Sequence, residues 1–77
     1  MDYEMLMFGV QGELVSRLQQ YLTDLGYLPA AAVTGVFDEE TEAAVKKLQL
    51  RNALVDDGIV GNSTWDLLLM ANGRPAA

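Results

Sequence analysis

The chain has 77 residues, a formal net charge of −6 and a hydrophobic fraction of 51%. This length allows one small domain, and the apolar fraction is large enough to build a core for it. Cysteine and histidine are absent, which excludes disulfides, catalysis by a thiolate or a histidine, and the common transition-metal sites. The acidic net charge disfavours nucleic acids and anionic membranes as partners.

Three helices are predicted from apolar residues at helical spacing and from the residues that flank them. The first helix covers residues 12–25 and ends before Gly26, a residue that readily takes the positive φ of a helix C′ position. The second begins at the N-cap Asp38 and runs to about residue 50, with acidic residues in its first turn and basic residues near its end. The third covers about residues 62–71.

The predicted core is formed by the apolar faces of these helices. Trp65 shares the apolar face of the third helix, so a core position is favoured over a sugar-stacking position. Gln19 and Gln49 lie beside apolar faces, and each is expected to hydrogen-bond a neighbouring loop, with ligand contact as the alternative. The core-facing residues are Leu14, Val15, Leu18, Tyr21, Leu22, Leu25, Thr41, Ala44, Val45, Leu48, Trp65, Leu68 and Leu69.

The two loops that precede the second and third helices repeat each other. Residues 34–41 align without gaps with residues 57–64, and each segment reads polar, Gly, two apolar residues, a cap, two further residues and Thr. Both apolar residues of each segment are expected to point inward, and at least one of Gly35 and Gly58 is expected to have a positive φ. The sequence therefore predicts an all-α, compact three-helix bundle with an internal pseudo-repeat, as a single domain over 1–77 with its core at about 6–71 and a tail at 72–77.

Glycines, apolar residues and glutamines recur at fixed spacing over nearly the whole chain. The shared pattern is Leu6-x-x-Gly9-x-x-Gly12-x-x-Val15-x-x-Leu18-Gln19, Leu22-x-x-Leu25-Gly26-Tyr27, Gly35-x-Phe37-Asp38-x-x-Thr41-x-x-Ala44-Val45-x-x-Leu48-Gln49 and Asp57-Gly58-Ile59-Val60-Gly61-x-x-Thr64-Trp65-x-x-Leu68. It closely resembles the bacterial peptidoglycan-binding domain family, the three-helix module of many cell-wall amidases, peptidases and phage lysins. The resemblance implies an all-α fold, attachment to peptidoglycan beside an attached or associated wall hydrolase, and no catalysis by the module itself.

No catalytic, metal-binding or cofactor-binding residue is predicted. Ser63 and Thr64 lack a base that would activate them. The acid pairs 39–40 and 56–57 are adjacent in turns and caps, whereas glycoside hydrolysis needs two carboxyl groups across a cleft. The chain is therefore not expected to be an enzyme.

Ligand recognition is expected on the loop surface beside the ends of the first two helices. Tyr27 offers a ring with a polar tip, Arg51 and Asn52 end the second helix, and Asp56 follows them. Peptidoglycan stem peptides carry carboxylates and amides, with which Arg51 and Asn52 can pair. The alternative is that Arg51 only complements the carboxyl end of its helix.

The amino-terminal segment is unusually apolar at Met5, Met7 and Phe8. It either closes the small core or forms a docking patch, and the docking patch is the basis of an alternative function as an adaptor in a phage tail or secretion particle. Residues 1–4 carry acids where a signal peptide needs bases, and no apolar run approaches the roughly 20 residues of a membrane span. The chain is expected at the cell wall, outside the cell or with a phage, by a separate export route.

Overall fold

A computed structural model describes residues 4–73, which form three α-helices and one short 3₁₀ turn. Helix α1 spans Glu13–Asp24, the 3₁₀ turn Ala30–Ala32, α2 Glu39–Arg51 and α3 Asn62–Ala71. The helix bounds lie within one residue of those predicted, and the all-α three-helix class is confirmed. The 3₁₀ turn was not predicted. Of the predicted tail, positions 74–77 lie outside the described residues.

Helix α1 ends in a Schellman motif that the sequence indicated through Gly26. The backbone N–H of Tyr27 donates to the carbonyl oxygen of Leu22 at 2.8 Å, and that of Gly26 donates to Thr23 at 3.0 Å. Gly26 has a φ of 87°, which costs glycine little. This turn closes the helix and leads Tyr27 back against the core.

The core lies between the three helices and includes the predicted tryptophan. Trp65 is only 3% exposed, meets the Tyr21 ring edge-on at 6.5 Å between centroids, and donates from its indole Nε1 to the Glu4 carbonyl oxygen at 3.0 Å. Phe37 is fully buried. Three of the predicted core residues are only partly buried against the rest of the core: Leu14, Leu25 and Leu69.

Gln19 is a buried side chain of α1 that holds the loop before α2. Its Oε1 accepts hydrogen bonds from the backbone N–H groups of Thr34 and Gly35, both at 2.9 Å. Its Nε2 donates to the carbonyl oxygen of Val36 and to the hydroxyl of Thr41, both at 2.9 Å. Both donor hydrogens and both lone pairs of the amide are therefore used, and the predicted loop contact is confirmed.

Gln49 plays the same part in α2 for the loop before α3. Its Oε1 accepts from the backbone N–H of Gly58 at 3.0 Å. Its Nε2 donates to the carbonyl oxygen of Ile59 at 2.9 Å, to the hydroxyl of Thr64 at 3.1 Å and to Asp57 Oδ1 at 3.2 Å. The pseudo-repeat read from the sequence is thus a repeat of hydrogen bonds, with α2 shared between its two halves.

The apolar pairs that follow the turn glycines correct one prediction. Gly35 and Gly58 have φ values of 83° and 77°, as predicted. Phe37 is buried, but Val36 before it is 43% exposed, and Ile59 is likewise less buried than the residue that follows it. In extended backbone, successive side chains point to opposite sides, so only the second residue of each pair enters the core.

The amino-terminal segment pairs with both loops. Leu6 and Val60 exchange backbone hydrogen bonds of 3.1 and 2.8 Å, and the N–H of Gly9 donates to the Phe37 carbonyl oxygen at 2.9 Å. Leu6 is buried in the core, whereas Phe8 is 54% exposed. The segment therefore closes the core through Leu6 and leaves Phe8 at the surface, together with Met5 and Met7.

Candidate functional site

Two of the four predicted site residues lie together where α1 and α2 end. The guanidinium carbon of Arg51, the last residue of α2, lies 5.9 Å from the centroid of the Tyr27 ring. Tyr27 is half-buried against the core, whereas Arg51 is exposed. A cation–π contact at an exposed site contributes about 0.5–1 kcal/mol, so it orients the guanidinium while leaving it in contact with solvent.

The other two predicted residues lie nearby in the chain but are arranged differently. Asn52 follows α2, and its Nδ2 donates to the carbonyl oxygen of Leu48 at 2.8 Å, which satisfies a carbonyl group at the helix end. Asp56 is exposed on the loop before α3. The structure therefore brings Tyr27 and Arg51 together, engages the Asn52 amide at the helix end and places Asp56 on the adjoining loop.

A groove of ≈ 320 Å³ lies at the beginning of α3. Gly61 and the first turn of α3 line it, together with the buried side chains of Gln49 and Thr64 and the exposed Asp57. Apolar side chains complete the lining, among them Leu54 and Val55. Sequence reasoning did not single out this groove, although the aligned loops differ visibly at its centre, where one has Asp38 and the other Gly61.

The start of α2 shows what an acidic side chain does at that aligned position. Asp38 Oδ1 accepts from the backbone N–H and from the hydroxyl of Thr41, both at 3.0 Å. The first of these bonds, reinforced by the second, holds the pKa of the Asp38 carboxyl below its ordinary value of 3.8. The predicted N-cap is therefore confirmed.

The start of α3 has the same backbone conformation without the side chain. Gly61 has φ −101° and ψ −164°, against −102° and −172° at Asp38. No side chain at the N-cap position bonds the first turn of α3. A Cβ atom built on Gly61 would meet nothing within 4 Å, so the place that a carboxylate fills before α2 is open before α3.

Replacing Asp38 by asparagine is expected to remove an acid-sensitive part of the stability. Because the folded-state pKa of Asp38 is lowered, its contribution is fully present above the unfolded-state pKa and is lost as the pH falls through the folded-state pKa. Wild type should therefore be more stable than Asp38→Asn at neutral pH, and the difference should shrink towards about pH 2. Urea unfolding of both proteins across this pH range measures it, and a difference that is independent of pH would contradict the assignment.

Residues 4–73 contain no group of three or more acidic side chains placed to hold a metal ion. Within the same residues, Thr64 is buried against Gln49, and Ser63 lies exposed in the first turn of α3. None of the helices found there combines the length and apolar character needed to cross a membrane.

Comparison with known proteins places this architecture among wall-related proteins. A family model described as a peptidoglycan binding domain matches residues 11–68. The structure of the SleB N-terminal domain is 32% identical with a TM-score of 0.83, and the match covers 88% of this chain and 92% of that one.

Two larger proteins match over part of their length. A peptidoglycan-binding protein from Clostridioides difficile, solved in complex with glutamine hydroxamate, is 35% identical with a TM-score of 0.80 over 84% of this chain and 40% of its own. The endolysin of the Burkholderia phage AP3 is 34% identical with a TM-score of 0.80 over 92% of this chain and 26% of its own. The chain thus spans less than half of each of these two proteins.

Proposed function

Because the chain belongs to the peptidoglycan-binding domain family, we propose that it is a non-catalytic module that binds peptidoglycan and keeps a wall hydrolase on its substrate. The observation that carries the proposal is the family match over residues 11–68, a span that includes α1, α2 and most of α3. The hydrolase is either attached to the module or associated with it, and the site of action is the cell wall, the extracellular space or a phage particle.

The composition and the partial coverage of a larger relative support a binding role. The sequence has no histidine or cysteine to act as a base or a thiolate nucleophile. The chain spans only 26% of the matched endolysin, so the matched region is one part of that larger protein. A module of this kind acts by raising the local concentration of its partner on an insoluble substrate, for which weak contacts suffice.

Four residues are proposed to contact the wall at the ends of α1 and α2: Tyr27, Arg51, Asn52 and Asp56. The Arg51 guanidinium, oriented by the Tyr27 ring, is exposed and can form bidentate hydrogen bonds with a stem-peptide carboxylate. The exposed Asp56 supplies an acceptor for amide or amino groups of the same peptide. The proposed site therefore presents a positive guanidinium and a negative carboxylate to a peptide that carries both carboxylates and amino groups.

The exposed amino-terminal side chains Met5, Met7 and Phe8 do not favour the alternative role as a particle adaptor. Exposed apolar residues are common on protein surfaces and become informative only as a large contiguous patch. The family match, the peptidoglycan-binding protein from Clostridioides difficile and the phage endolysin support wall binding instead.

The purified chain is expected to co-sediment with insoluble peptidoglycan sacculi and to release no soluble muropeptides. Arg51→Ala should weaken the co-sedimentation roughly two- to tenfold because one charge-assisted contact is lost. Arg17→Ala is the matched control, since Arg17 is an exposed arginine of α1 outside the proposed contact residues. The melting temperature of each variant shows that the fold is unchanged.

Recovery of the wild-type chain in the supernatant at low salt, with sacculi of every chemotype, would contradict the binding role. Released muropeptides would contradict the non-catalytic role. Equal binding by the two arginine variants would remove Arg51 from the site and leave the function in place.

A further inference from the structure

We infer that the groove at the start of α3 binds the C-terminal carboxylate of a peptide, in the position that the Asp38 side chain occupies at the start of α2. The ligand class rests on the proposed function, because peptidoglycan stem peptides end in carboxylates. The site is separate from the Arg51–Tyr27 contact and uses α3 rather than the ends of α1 and α2.

The internal repeat supplies a template for the bound group. Asp38 and Gly61 have matching backbone angles, and each accepts through its carbonyl oxygen an N–H bond of 2.9 Å from the helix, donated by Glu42 and Trp65 respectively. Before α2, the space next to these atoms holds a carboxylate that belongs to the chain. Before α3 the same space is open, because Gly61 has no side chain and nothing lies within 4 Å of the position of its Cβ.

The Thr64 hydroxyl is an independent sign that an acceptor is missing from the groove. Thr64 is only 3% exposed, lines the groove and accepts a hydrogen bond from Gln49 Nε2 at 3.1 Å. Its counterpart Thr41 accepts from Gln19 and donates its own hydrogen to Asp38 Oδ1 at 3.0 Å. Among residues 4–73, no acceptor is found for the Thr64 hydroxyl hydrogen, and a buried donor without an acceptor is costly.

The groove offers a carboxylate more than one donor. Besides the Thr64 hydroxyl, the groove has the backbone N–H groups of Ser63 and Thr64, which belong to the first turn of α3, where the helix itself supplies no acceptor. The helix dipole adds positive potential at that end. In the other half of the repeat, the N–H and the hydroxyl of Thr41, the counterpart of Thr64, bind the Asp38 carboxylate.

The remaining lining distinguishes a peptide from a simple anion. Asp57 Oδ1 is bonded to Gln49 and to the N–H of Ile59, whereas its Oδ2 accepts nothing from the described residues. This negative group repels any anion in the groove, but a peptide offsets the repulsion because the amide N–H next to its terminal carboxylate can donate to Asp57, a contact that phosphate and sulfate lack. Apolar side chains that include Leu54 and Val55 line the groove as well and suit the side chain of a small terminal residue.

The test introduces a carboxylate into the open position. Gly61→Asp should fold, because its side chain enters open space, and should raise the melting temperature by capping α3 as Asp38 caps α2. The same side chain should occupy the site and weaken peptide binding by about tenfold or more. Ala43→Asp is the matched control, since it adds the same charge at an exposed position of α2 outside the groove.

The probes are N-acetyl-D-alanyl-D-alanine, its C-terminal amide and acetate, each titrated while the backbone amide signals are followed by NMR. In wild type and Ala43→Asp, the free acid should shift the signals of Ser63 and Thr64, the C-terminal amide should not, and acetate should do so only at much higher concentration. In Gly61→Asp these signals should not respond to the acid.

An unshifted wild-type spectrum, an equal response to acid and amide, or an unweakened response in Gly61→Asp would each overturn the inference. An equal response to acetate would leave an anion site and overturn the peptide assignment. Co-sedimentation with sacculi tests the proposed function separately from this inference. Failure of the wild-type chain to co-sediment contradicts the function. Equal co-sedimentation of wild type and Gly61→Asp overturns only the role of the groove in wall binding.

Discussion

Replacing Gln19 by leucine is expected to lower the free energy of unfolding by about 3 kcal/mol. Leucine has a similar size and keeps the position apolar, but it can neither donate nor accept a hydrogen bond. The N–H groups of Thr34 and Gly35 would lose their acceptor. The carbonyl oxygen of Val36 and the hydroxyl of Thr41 would lose the amide donor, and Val36 would keep only the longer bond of 3.4 Å from the Thr34 hydroxyl. The loss stays below the sum of four fully buried bonds because the loop backbone is only partly shielded from water.

Gln20→Leu provides the matched control on the neighbouring residue. Gln20 is exposed, and its Nε2 donates to Asp24 Oδ1 at 3.1 Å on the surface of the same helix. Removal of that bond should change the stability by less than about 0.5 kcal/mol. Urea unfolding of both variants measures the difference, and similar midpoints would show that the buried amide does not hold the loop.

Phe37→Ala is expected to cost about 3–5 kcal/mol, a large share of the total stability of so small a domain. Phe37 is fully buried, and its removal would leave a cavity beneath the loop that leads into α2. Phe8→Ala deletes the same atoms from a side chain that is 54% exposed, so its effect should stay below about 1 kcal/mol.

Thermal unfolding followed by circular dichroism distinguishes the two phenylalanines. A drop in melting temperature for Phe8→Ala comparable to that for Phe37→Ala would assign Phe8 to the core and contradict its position at the surface. Loss of folded signal for Phe37→Ala already at room temperature would agree with the expected cost.

Local signals were sufficient to predict the helices. Asp38 and Gly26 mark a beginning and an end because their chemistry acts within a few residues of the chain. The loop contacts of Gln19 and Gln49 were also predictable, since a polar side chain beside an apolar face needs buried partners, which a neighbouring loop can supply.

Features that depend on pairing between residues far apart in the chain, or on extended backbone, were not predicted correctly. Val36 was expected to point inward together with Phe37, but the alternation of extended backbone turns it outward. The pairing of Leu6 with Val60 depends on residues far apart in the chain, for which the helical periodicity gives no signal. The 3₁₀ turn Ala30–Ala32 was missed because three residues are too few to show a helical period.

The candidate site was predictable only in part. The proximity of Tyr27 and Arg51 follows from the ends of two helices meeting in space, and both residues were singled out from the sequence. The groove before α3 was missed because its decisive feature is an absent side chain. The difference between Asp38 and Gly61 becomes informative only when the matching φ and ψ angles show that both residues are helix N-caps in the same backbone conformation.

The pairing of the amino-terminal segment with the last loop has a consequence for synthesis on the ribosome. Leu6 bonds to Val60, and the indole of Trp65 bonds to Glu4, so the first described residues find their partners only in the last third of the domain. Contacts of such sequence separation are formed late and slow folding relative to simple helical bundles. The nascent chain therefore cannot complete its core until α3 has left the exit tunnel, and the domain matures as one unit rather than helix by helix.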